Sequence, residues 1–131
     1  MKVAATVIAL LSAALATAGC GSGSGGATSG APSAEVLSVA QALAAPAGQP
    51  IRVRGALIAP EGAAVRLCSA ILESYPPQCG GPSLVVSGLD LSTVPRLTHT
   101  NDPSLAQVTW SQGEIVLAGV VSDGILTVQS T

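Results

Sequence analysis

The chain contains no phenylalanine, one tyrosine, one tryptophan and one histidine, and only 9% of its 131 residues are charged. Each shortage removes a class of function. Single-stranded nucleic acid is gripped by aromatic platforms set in a basic groove. Tyr75 and Trp110 are the only rings of that kind, and the formal net charge is −2, so no nucleic-acid partner is expected. A zinc site takes four ligands drawn mainly from Cys, His and carboxylates. His99 is the only histidine, so neither a metal nor another cofactor is expected. A nucleophile elbow, G-x-S-x-G, is absent. His99, Asp102 and a serine can be combined on paper, but nothing local holds three such groups within hydrogen-bond reach. His99 and Asp102 read as parts of a solvated polar loop, and no catalytic residue is assigned. Asp90 and Glu114 could act as a carboxylate pair only if the fold happened to join them.

What the chain does have begins at its N-terminus, MKVAATVIALLSAALATAGC. Met1 and Lys2 form a short positive start, an apolar run follows, and small residues lead to Cys20. This is the layout of a secretory signal, with an apolar run too short for a comfortable membrane span. Gly21, Gly23 and Gly26 then spell G-x-G-x-x-G. That spacing binds dinucleotides only between a strand and a helix. Here it lies in GSGSGGATSGAPSA, a flexible tether of roughly 20 Å mean reach. The expected organisation is a signal peptide over 1–19, a modified cysteine and linker over 20–34, and one domain over 35–131. About 97 residues suffice for one small domain and not for two.

The stretch Thr17-Ala18-Gly19-Cys20 resembles the lipobox of bacterial lipoproteins, with Thr17 where that family usually has leucine. The resemblance implies a diacylglyceryl group on the Cys20 thiol and removal of the residues before it. Two or more acyl chains hold a protein at a membrane for long times, whereas one binds reversibly. The implied location is the extracytoplasmic face of the cell membrane. In a cell with two membranes the outer one is also open, because Gly21 stands where a retention aspartate would be. The Ala, Gly and Arg bias with a single lysine suggests a GC-rich bacterial genome, such as an actinobacterial one.

The domain opens with a short helix over 39–45, capped by Ser38 and closed by Pro46. In IRVRGALIAP, Ile51, Val53 and Leu57 share one face, and Arg52 and Arg54 share the other. Gly55 and, later, Gly119 interrupt strands, which marks a bend or a close backbone approach. Pro60-Glu61-Gly62 reads as a turn into a second strand, AVRLCSAI. A third strand is expected over 83–89, a helical turn at Asp102-Pro103, a fourth strand over 114–121, a three-residue loop at Ser122-Asp123-Gly124, and a last strand over 125–129. Five glycine-bent strands behind one short helix suggest a small antiparallel barrel. The segments SVAQALAAPAGQPIRVRGALIA and VTWSQGEIVLAGVVSDGILTV resemble the OB-fold of small exported bacterial domains. The fold class expected is all-β with short helices, a five-stranded OB-fold-like barrel, with an open β-sandwich as the alternative.

With Cys20 assigned to lipid, Cys68 and Cys79 remain. In an exported protein without a C-x-x-C pair, they are expected to form one disulfide. Between them lie Tyr75, Pro76 and Pro77. Tyr75 reads first as a lid on one end of the barrel with its hydroxyl in water. The sharper reading is an aromatic presented to a ligand on a stiff loop. Arg52 and Arg54 offer a small anion-contact patch or a solvated barrel wall. The candidate ligand contacts are therefore Tyr75, Trp110, Arg52 and Arg54. The functional expectation is a non-catalytic binding or interaction module that meets an envelope protein or a small ligand. A structural subunit of a membrane complex and an envelope enzyme using His99 are the alternatives.

Overall fold

The computed structural model describes residues 35–129. The signal segment 1–19, Cys20 and the linker lie outside the described residues. In chain order the elements are strand β1 (Val36–Ser38), helix α1 (Val39–Ala44), β2 (Pro50–Pro60), β3 (Arg66–Leu72), β4 (Gln78–Ser87), a 3₁₀ turn (Leu91–Thr93), β5 (Leu97–His99), β6 (Val108–Ser122) and β7 (Ile125–Val128). No helix among them is long and apolar enough to cross a membrane.

Five of the strands close on one another in the order β2-β3-β4-β7-β6, and β6 returns to β2. The barrel is thus OB-fold-like and closed, not an open sandwich. One seam departs from the antiparallel expectation, because β4 and β7 run parallel, with Val85 opposite Ile125 and Ser87 opposite Thr127. The cause is the long passage over 88–107. It carries the chain from the end of β4 to β6, and the following hairpin brings β7 back beside β4 in the same direction. The short strands β1 and β5 add to the margins, β1 parallel to β2 and β5 antiparallel to β6.

The interior is aliphatic. Val53, Leu57, Leu67, Leu84, Leu117 and Leu126 are buried in one cluster, and Val39 and Ala42 of α1 join it from one end. The lid expected of Tyr75 is therefore α1. Its first turn is held by a capping box: Ser38 Oγ accepts from the Gln41 N–H at 3.2 Å, and Gln41 Oε1 accepts from the Ser38 N–H at 2.8 Å. This reciprocal pairing satisfies two helix-end donors at once. Gly55 is what lets α1 sit so deep. A Cβ there would meet the Cys68 carbonyl at 2.8 Å and Val39 Cγ2 at 3.0 Å. At Gly119 a Cβ would run into the Thr127 carbonyl, so both glycines mark close backbone approaches.

Some boundaries differ from the expectation. The third barrel strand begins at Gln78, five residues early, because Ala70, Ile71 and Leu72 pair with Gly80, Cys79 and Gln78. The β6–β7 connection is a two-residue turn, with Ser122 facing Ile125 and positive φ at both Asp123 (51°) and Gly124 (74°). Those signs belong to a type I′ turn, whose twist matches that of the strands. Around Asp102-Pro103 there is a single turn closed by Leu105 N–H on the Asp102 carbonyl at 3.2 Å, and no helix.

Strand β6 carries a bulge where its pairing with β2 shifts register, between the Ala56–Glu114 and Ile58–Trp110 pairs. The buried Ser111 hydroxyl mends it. It accepts from the Leu57 N–H at 2.9 Å and donates to the Gly113 carbonyl at 2.6 Å.

Candidate functional site

Alternation along β2 and β3 sends Leu57 and Leu67 inward, and so turns Ile58 and Cys68 outward. There they form a second, smaller apolar cluster with Val108, and Ile71, Cys79 and Trp110 pack against it. The cluster lies on the outer wall of the barrel. Cys68 and Cys79 are joined by a disulfide, with Cα atoms 5.5 Å apart, the pairing expected of them. The bond ties strand β3 to strand β4, and the connection between them carries Tyr75.

The Tyr75 ring stands edge-on to Trp110, with centroids 6.2 Å apart and planes at 87°. Such T-shaped pairs contribute about 0.5–1.5 kcal/mol beyond the area they bury. The Tyr75 hydroxyl donates to Asn101 Oδ1 at 2.6 Å and accepts from the Asn101 N–H at 3.3 Å. Tyr75 thus joins the disulfide loop to the segment after β5. Its hydroxyl is held by Asn101 rather than left free in water. Tyr75 remains 54% exposed, and Trp110 beside it is half-buried. The two aromatics, 35 positions apart in sequence, form one outward-facing patch.

The arginines do not join it. Arg52 and Arg54 are exposed and lie opposite Ala118 and Val116. Trp110 lies opposite Ile58, four residues beyond Arg54 and about 13 Å further along β2 by strand rise. The four candidate contacts therefore split into an aromatic pair and a basic pair at different heights on the wall.

His99 lines a cleft of about 390 Å³ together with Glu61, Val65, Leu91 and Gln107. The Asp102 carboxylate is directed elsewhere: Oδ1 accepts from the Ser104 hydroxyl at 2.6 Å and the Ser104 N–H at 2.9 Å. The hydroxyl, then the N–H, holds the Asp102 carboxyl below the usual carboxylate range. Asp90 is lowered in the same way by Ser92, hydroxyl first and N–H second. Each aspartate serves its own turn. Asp90 and Glu114 line two different hollows beside β6. Among the described residues, no group of three or more His, Cys, Asp or Glu is placed to hold a metal ion.

Asn101 is the residue that the sequence did not single out. Its only signal was its place in the polar run Thr98 to Asp102, which offers nothing to distinguish a tyrosine anchor from an ordinary loop amide. Comparison with protein-family models, curated proteins and solved structures finds no match.

Proposed function

We propose that the protein is a lipid-anchored component of the bacterial cell envelope, and that its barrel is a non-catalytic binding module. The contact surface in this reading is the outer wall that carries Tyr75 and Trp110. One observation carries it: the chain's only two large aromatics meet on the outside of the barrel, Tyr75 from the loop closed by the disulfide and Trp110 from β6, with the tyrosine 54% exposed. Exposed aromatics on a fixed support bind at low entropic cost, because little freedom remains to be lost. The Asn101 bonds fix the ring further. The anchor rests on the resemblance of Thr17-Ala18-Gly19-Cys20 to a lipobox. It would hold the barrel at the membrane surface, where it could meet an envelope protein or a small ligand.

Two experiments test the two halves. Cells fed a clickable palmitate analogue should label the wild-type protein and not Cys20→Ala; equal labelling would remove the anchor. Crosslinking on intact cells, followed by mass spectrometry, should give adducts that Tyr75→Ala and Trp110→Ala lose. Adducts unchanged in both variants would remove the aromatic contact surface.

A further inference from the structure

Strand β6 is paired along β2 on one side, but its other side is shared by two short neighbours. β5 covers Thr109 to Ser111, and β7 covers Gly119 to Ser122. At the ends of the gap, the Gln112 N–H donates to the Arg96 carbonyl at 3.0 Å, and the Ala118 carbonyl accepts from the Gln129 N–H at 3.2 Å. Residues of the same parity turn their main-chain groups to the same side of a strand. The N–H and C=O groups of Glu114 and Val116 therefore face into the gap. Among the described residues, no backbone hydrogen bond reaches them from the segment opposite, 88–95. A hollow of about 500 Å³ lies between that segment and the strand, with Leu89, Val94, Ile115 and Leu117 among its walls.

Exposed edges are normally blunted by proline, lysine or cover, since they template pairing with other chains. Here the edge reads Glu114-Ile115-Val116-Leu117, with three apolar residues after the glutamate, two of them β-branched, and no proline or lysine. We propose that this gap is an acceptor for an extended segment of a partner polypeptide, which adds as a strand between β5 and β7. Main-chain pairing supplies the attraction and alternate side chains supply the selection. Continuity fixes the geometry, because β5 and β7 already run antiparallel to β6 along this edge. The incoming strand runs in their direction. Its inward residues are apolar and meet Leu89 and Val94. Its outward residue beside Glu114 is lysine or arginine, since opposite charges placed across a pair are favourable. This site shares no residue with the Tyr75–Trp110 face, so either can fail without the other.

The probe is the tetrapeptide Ac-Val-Thr-Val-Lys-amide, whose valines face inward and whose lysine falls opposite Glu114. Titrated at millimolar concentration into the full-length protein, it should shift and slow the exchange of the Glu114 and Val116 amide protons. Methylating the threonine amide nitrogen, which faces Val116, should abolish both effects. Val116→Pro should abolish binding at unchanged melting temperature within a few degrees, because the lost N–H serves no bond to β2. The proposal is overturned if the methylated peptide perturbs the same amides equally, if the shifts centre elsewhere or do not occur, or if Val116→Pro binds as the wild type does. It is also overturned if these amides are already protected in the free protein, whether residues 130 and 131 or a second copy fill the gap.

Discussion

Replacing Ser111 with alanine isolates the most exacting polar contact in the barrel. The Leu57 N–H points at β6 where the bulge has withdrawn the main-chain acceptor, and the Ser111 hydroxyl takes its place at 2.9 Å. Leu57 is fully buried and Ser111 is 2% exposed, so water cannot replace the lost oxygen. An unsatisfied buried donor costs about 1–3 kcal/mol. The Gly113 carbonyl also loses its donor, but Gly113 is exposed and can turn to solvent. The expected loss is about 2 kcal/mol, a large share of the roughly 5–15 kcal/mol that holds a domain. For a domain of this length it lowers the melting temperature by about 8–16 °C. Scanning calorimetry on the full-length protein checks this. Ser122→Ala, exposed on the same strand, is the control and should stay within about 0.5 kcal/mol of the wild type. A Ser111→Ala protein that melts no lower than the control would refute the assignment of the Ser111 hydroxyl as the bulge's acceptor.

Three further outcomes follow from the same structure. Replacing both Cys68 and Cys79 with alanine opens a loop of twelve residues, worth about 3 kcal/mol of chain entropy; urea midpoints for the two proteins should differ accordingly, and coincident midpoints would count against a stabilising bond. Gly119→Ala drives a methyl group into the Thr127 carbonyl and should cost about 2–3 kcal/mol, read as a drop in the same urea midpoint; a wild-type midpoint would mean that β6 and β7 are not so close. Asp90 and Asp102 titrate below their unfolded values, so each contributes stability above the ordinary carboxylate range and loses it as pH falls through the folded value. Both are exposed, so the contribution is small, and carboxyl-carbon NMR titration is the suitable readout. Midpoints at or above the unfolded values would reverse the sign.

How much of this was legible in the sequence depends on how local each signal is. The Ser38 cap, the alternation of Ile51, Val53 and Leu57, and the close approaches at Gly55 and Gly119 all lie in short windows and are seen in the structure. The early start of β4 was hidden because Cys79-Gly80-Gly81-Pro82 has the composition of a turn. Pairing with Ala70 and Ile71 overrides that composition. The first residues of β6 were obscured likewise by Gln112-Gly113, which a bulge absorbs within one continuous strand. Leu97-Thr98-His99 is too short to show a period, and it becomes a strand only because β6 lies beside it. The parallel β4–β7 seam and the meeting of Tyr75, Trp110 and Asn101 join distant parts of the chain, and no local pattern encodes such meetings. Of the candidate contacts, the sequence supplied the residue types and the fold decided their grouping.

The placement of the rings has a spectroscopic consequence. Aliphatic side chains fill the barrel interior, and the two large aromatics sit together on its outside. Near-ultraviolet circular dichroism and indole emission of this protein should therefore report on the outer patch, while far-ultraviolet signal follows the strands. Denaturation followed at both wavelengths separates opening of the disulfide-closed loop from collapse of the barrel. The chain thus carries, without labelling, a gauge of its own candidate contact surface.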